Sequence, residues 1–157
     1  MPESLYRWYG ARELEAMARR ESALSGEIDI ARLPRLASLL QSQRGSVSAS
    51  LRFRQDERGR TTVAVIDLEY DTRVELVCQR CLEAVEYRLE DRVQLAVLEN
   101  ASLEQYLPKE YEPLVLEGER LMPATLVEDE IIISLPLVPR HESGACASPT
   151  REARDSV

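Results

Sequence analysis

An α+β fold follows from three features of this 157-residue sequence. Apolar residues recur at helical spacing over positions 10–42, the apolar period switches from 3.6 to 2 at Val47, and helical spacing returns over 124–134. The expected architecture is an antiparallel β meander, forming a curled sheet or open barrel, with N-terminal helices and one C-terminal helix. Residues 1–147 are expected to form a single globular α+β domain, and 148–157, which lack apolar periodicity, a disordered tail.

The elements follow in order. Ala11, Leu14, Ala16, Met17 and Ala18 predict a first helix over 10–24, stopped by Ser25-Gly26. Leu33, Leu36, Leu39 and Leu40 predict a second over 33–42, with Pro34 in its first turn and Gly45 beyond its end. Val47, Ala49, Leu51 and Phe53 then alternate with Ser48, Ser50, Arg52 and Arg54, the pattern of a half-buried strand. After a turn at Asp56–Gly59 the alternation resumes at Ala64–Tyr70, Val74–Cys78, Val85–Leu89 and Val93–Val97. This makes about five antiparallel strands with one apolar and one charged face. Residues 100–120, broken by Pro108, Pro113 and Gly118, read as irregular. Over 124–134 a helix is expected, although the β-branched run Ile131-Ile132-Ile133 keeps a strand in competition. Pro136 and Pro139 force an extended exit from it.

Composition narrows the function. Net charge is −8, distributed unevenly: residues 1–60 carry 11 Lys/Arg against 8 Asp/Glu, and residues 61–140 carry 7 against 17. An acidic body repels a phosphate backbone, which argues against a general RNA or DNA binder and leaves only the N-terminal third for such contacts. The arginines at 52, 54, 58 and 60 offer a phosphate contact, but a solvated strand face needs such charges anyway. No run approaches the roughly 18 apolar residues of a membrane span. The first 20 residues carry four arginines and no apolar segment, so a secretory leader is not expected, and the reducing cytoplasm is. Glu128-Asp129-Glu130 reads as a solvated helix face whose acids complement the helix dipole.

The residues best suited to chemistry are few. All 3 cysteines and the 1 histidine fall into two clusters, Cys78-x-x-Cys81 and His141-x4-Cys146. Their number and softness match a closed zinc site of three cysteines and one histidine, hence a structural rather than a catalytic ion. The Cys-x-x-Cys is expected near a hairpin tip, where a two-residue spacer lets both sulfurs face one ion. A proline-stiffened arm, turned at Gly144, is expected to deliver the other pair. Unligated thiols and a redox pair stay open as readings, although a strand pattern follows Cys81 where a thioredoxin-type pair would open a helix. No phosphate loop, serine–histidine pair or isolated carboxylate pair occurs. With His141 committed to a metal, general acid–base catalysis lacks its usual actor, and no catalytic residue is expected. An RNA-processing nuclease stays open as an alternative, but it would need carboxylates converging on Mg²⁺, and the acids here are spread over charged strand faces.

In Val77–Leu82, in Leu107-Pro108 through Tyr111-Glu112-Pro113, and in Val127–Pro139 running on to His141 and Cys146, the sequence resembles the YceD family of bacterial large ribosomal RNA subunit accumulation proteins. Gly26-Glu27-Ile28 with Leu33–Leu36 resembles that family's entry, so the likeness covers about residues 20–147. It implies a non-enzymatic role in the synthesis, processing or stability of 23S ribosomal RNA, and it favours the helix over 124–134. The expected partners are ribosomal precursor RNA or a basic ribosomal protein or assembly factor. Many relatives continue into a tail with an Asn-Pro-Phe-Ala-like element and terminal lysines, where this sequence has Asp155-Ser156-Val157.

Overall fold

The computed structural model describes residues 3–58, 61–142, 144 and 146. Its centre is a five-stranded open sheet of order β1-β2-β3-β4-β5: β1 Ala23–Asp29, β2 Ser46–Arg58, β3 Thr61–Val77, β4 Ala84–Leu98 and β5 Glu112–Val115. Three α-helices accompany it, α1 Ala11–Arg19, α2 Pro34–Ala37 and α3 Pro123–Ser134. The α+β class, the sheet that does not close on itself and the C-terminal helix agree with expectation. The expected tail at 148–157 lies outside the described residues.

Several local readings change. The first helix ends at Arg19 because Glu21 adopts a left-handed backbone, φ 53°. Residues 23–29 then leave the helix to pair with β2, in register from Ala23↔Arg52 to Asp29↔Ser46. Leu24, Gly26 and Ile28 carry the period of this strand, and Gly26 has no side chain with which to announce it. The second helix shortens to one turn, after which the backbone N–H of Gln41 donates to the carbonyl of Glu75 at 2.7 Å.

Two pairs of expected strands are each one long strand. β3 runs unbroken past Asp71-Thr72-Arg73, because the buried Thr72 hydroxyl donates to the carbonyl of Ser46 at 2.9 Å. Once satisfied, this inward polar group no longer interrupts the apolar face. β4 likewise continues past Glu90-Asp91-Arg92, with Asp91 opposite Tyr70. The sheet is also mixed: β5, inside the segment expected to be irregular, pairs parallel with β4 from Leu95↔Glu112 to Leu98↔Val115. Pro113 is compatible with this position because β5 is an edge strand.

The core lies between the inner sheet face and the helices. Leu51, Phe53, Ile66, Leu68 and Tyr70 share one buried cluster with Leu14, Leu36, Val127 and Ile131. A smaller cluster of Val65, Ala96 and Tyr111 occupies the opposite face. α3 resolves its β-branched triplet by helical geometry, since successive side chains point about 100° apart. Ile131 is fully buried while Ile133 is 74% exposed. The apolar contacts of Leu126, Val127 and Ile131 outweigh the local preference for a strand.

The acidic run corrects its expectation most sharply. α3 begins at Pro123, so Glu128, Asp129 and Glu130 sit in mid-helix, and both glutamates are buried. Glu128 accepts from the backbone N–H groups of Arg35 and Leu36 at 2.8 and 3.1 Å and from the Arg35 guanidinium at 3.0 Å. It thereby supplies α2, whose preceding residue Leu33 has no capping side chain, with the acceptor its first turn lacks. Sequence separation hid this, because the cap comes from 92 positions away.

Replacing Glu128→Ala is expected to destabilise the chain by about 2–3 kcal/mol, as two orphaned N–H groups remain and Arg35 keeps only Asp129. A denaturant midpoint matching the parent would contradict this capping role. Glu130 gives a second prediction. Burial, reinforced by Glu112, Asp129 and Asp91, raises its carboxyl to about 7. Between the ordinary carboxylate range and that value, the folded chain retains a proton that the unfolded chain has released. Stability therefore falls as pH rises through about 4.5 to 7. Thermal melts should show this slope in the parent and a flatter one in Glu130→Gln.

Candidate metal centre

The β3–β4 hairpin places the first pair of donors. β3 and β4 remain in register to Val77↔Ala84, and the intervening residues close the tip. There the N–H of Cys78 donates to Glu83 O and that of Leu82 to Cys78 O, each at 2.8 Å. Leu82 takes the left-handed conformation, φ 63°, that so tight a reversal demands. Cys78 and Cys81 are buried beneath it, at 0% and 3% exposure.

The second pair arrives on the extended arm after α3. Pro139 accepts from the N–H of Gln79 at 2.8 Å. The Tyr87 hydroxyl both donates to the carbonyl and accepts from the N–H of Arg140, at 2.7 Å each. The arm is thus pinned to the hairpin immediately before His141. Gly144 takes φ 81°, the turn expected between His141 and Cys146. Sequence reasoning did not find Tyr87, whose inward position reads as apolar. Its phenol, a polar handle on an apolar body, was the available signal. The carbonyls of Ala84 and Pro139 carried none.

The four expected residues converge. The ligand atoms of Cys78, Cys81, His141 and Cys146 all lie within 4.8 Å of one another. Cys78 Sγ is 3.8 Å from Cys146 Sγ, and Cys81 Sγ is 3.4 Å from His141 Nδ1. With Zn–S bonds near 2.3 Å and Zn–N bonds near 2.05 Å, a tetrahedron has S–S edges of about 3.8 Å and S–N edges of about 3.6 Å. The Cys78–Cys146 and Cys81–His141 separations lie close to these edges. His141 Nε2 sits 3.1 Å from the carbonyl of Ala84. An N–H donated there leaves Nδ1 as the free acceptor facing the sulfurs and fixes the ring, as metal-site histidines commonly require.

Electrostatics distinguish the sulfurs. Burial works to raise the Cys78 thiol, yet the backbone N–H groups of Cys81, His141 and Arg80 outweigh it and bring the thiol down to about 5. The N–H of His141 lies 3.5 Å from this sulfur. Burial and the neighbouring Cys81 and Cys78 push the Cys146 thiol up to about 11. One preformed thiolate beside a crowded thiol is a donor set that a cation would complete.

The other candidates stay apart from this cluster. Arg54 is taken by Asp67 at 2.7 Å and stacks toward Tyr111. Arg52 lies exposed on the outer sheet face, Arg58 ends β2, and position 60 is outside the described residues. No helix among the described residues is long and apolar enough to cross a membrane.

Fold and site together define a class, that of a small α+β protein whose longest hairpin ends in a cluster of three cysteines and one histidine close enough together to hold a metal ion. Within that class the chain belongs to the family described as Large ribosomal RNA subunit accumulation protein YceD, which matches residues 66–156. A relative of that name from Haemophilus influenzae is 33% identical over 122 residues, covering 76% of this chain and 68% of its own. No solved structure matches the chain.

Proposed function

We propose that this protein is a non-enzymatic biogenesis factor supporting the accumulation of large-subunit ribosomal RNA in the cytoplasm. On this reading Cys78, Cys81, His141 and Cys146 hold a structural zinc ion, and residues 1–147 act as one folding unit. Family membership carries the ribosomal role, through the name of the Haemophilus influenzae relative. Two donor separations close to tetrahedral edges, and the convergence of all four ligand atoms, support the metal. Four protein ligands would fill the coordination sphere and leave no open position for a substrate or reactive water. The ion would brace the fold by joining the hairpin tip to the arm that follows α3.

A thiol-redox reading draws on the lowered Cys78 thiol. Against it, this sulfur is fully buried, whereas thiol exchange requires access to a partner disulfide. The Cys-x-x-Cys also sits between two strands and not at the start of a helix.

Protein purified without added metal is expected to carry near-stoichiometric zinc by elemental analysis. Its three thiols should react slowly until a chelator is added. Cys81→Ser should lose the metal and several kcal/mol of stability, a part of the roughly 10–16 kcal/mol available from structural zinc in small peptides. Fast-reacting thiols in metal-free, fully folded protein would refute the metal assignment. The ribosomal role has its own test. Deleting the coding sequence should lower the ratio of large- to small-subunit ribosomal RNA, and restoring the parent should recover it. An unchanged ratio would refute the role.

A further inference from the structure

Between β5 and α3 lies a groove of about 400 Å³. Its lining combines apolar Leu114, Leu126 and Ile132 with acidic Glu112, Asp129 and Glu130 and with Arg35. The arginine neutralises only part of this rim. Its guanidinium is bound to Glu128 at 3.0 Å and Asp129 at 2.6 Å. Glu112, Glu130 and nearby Asp91 have no cationic partner among the described residues.

Glu130 makes the arrangement unusual, because its side chain is held in the groove at 9% exposure, hydrogen-bonded to Glu112 and with Asp129 and Asp91 as further acidic neighbours. A buried carboxyl facing carboxylates is unfavourable unless it is protonated or paired. An incoming ammonium or guanidinium group would take the place of the proton that Glu130 and Glu112 otherwise share. Its attraction would be strengthened by the low polarity of the lining.

The lining also selects the kind of cation. A bare metal ion gains nothing from aliphatic walls. The ligand atoms that converge closely enough for one, among the described residues, are those of the cysteine–histidine cluster. Nucleic acid would bring phosphates to a carboxylate rim. A peptide segment with a Lys or Arg beside an aliphatic residue matches both features, the cation at the rim and the side chain on the floor. Ile133, 74% exposed at the groove's edge, extends the apolar surface such a segment would cover.

We propose that the β5–α3 groove docks a cationic, aliphatic-bearing segment of a protein partner. The proposal rests on the reading of this chain as a ribosome biogenesis factor and, of the expected partners, takes the basic protein. Free ribosomal proteins are of that chemistry, since they neutralise RNA, and the acidic body of this chain suits holding one of them off RNA.

The test uses the full chain and a fluorescein-labelled nonapeptide of alternating lysine and leucine, with binding read by anisotropy. Glu112→Gln/Glu130→Gln should weaken binding at least tenfold, while the charge-matched remote pair Glu99→Gln/Glu104→Gln should change it less than twofold. Ile133→Ser, at an exposed position that leaves the core untouched, should weaken it severalfold. A lysine–serine peptide of equal charge should bind at least tenfold more weakly than the probe. Equal losses in the two glutamate pairs, absence of binding, or an RNA oligomer that binds the parent and is lost with the groove pair would each overturn the proposal. Complementation of the deletion strain separates the two levels. If the parent restores the ribosomal RNA ratio but the probe ignores the groove, only the docking site falls. If the parent does not restore it, the biogenesis reading falls, whatever the peptide does.

Discussion

The unbroken antiparallel register between β3 and β4, from Ala64↔Val97 to Val77↔Ala84, sets the position of almost everything else. Side chains on a strand alternate faces, so a slip of one residue would exchange every inward and outward group. In the observed register Ile66, Leu68, Val74 and Leu76 face the helices, while Asp67, Glu69 and Asp71 face the other way, where Arg54, Arg92 and Arg88 meet them. These cross-strand pairs are exposed or half-exposed and contribute little each. Their value is in agreeing with the register that the buried face demands. Thr72, the one inward polar residue of this stretch that is buried, is accommodated by its bond to Ser46.

The same register fixes where the hairpin turns, and hence where Cys78 and Cys81 lie. A hairpin tip is ordinarily the least constrained part of a sheet. Here it is held by the arm after α3, through Pro139 to Gln79, Arg140 to Tyr87 and His141 to Ala84. The arm can reach because α3 ends at Ser134 and two prolines keep the following chain extended. Helix, arm and hairpin thus form a closed circuit, and the four soft donors sit where it closes.

Acidity plays two different roles on α3. Glu128 is buried with a purpose internal to the fold, as the acceptor for the first turn of α2. Two residues later, Glu130 faces the opposite circumstance, carboxylates in place of donors. Two glutamates of one helix therefore differ in what surrounds them, one accepting from N–H groups and a guanidinium, the other keeping its proton among carboxyls. Net charge alone treats them as equivalent.

Much of the site was legible from the residues: the inventory of three cysteines and one histidine with its two-and-two spacing, the hairpin between alternating runs, and the proline-stiffened approach. The helix at 123–134 and the two-faced strands were legible too, because a 3.6 or 2 period is a property of neighbouring residues. Tertiary structure alone decided that β3 and β4 pass through their polar interruptions, that Ala23–Asp29 abandons helix for sheet, that Glu112–Val115 joins as a parallel edge, and that Glu128 caps a helix far away in sequence. In each case the deciding partner lies tens of positions distant. Local propensity is written in the chain, whereas satisfaction of a buried polar group or an open strand edge depends on what folding brings beside it.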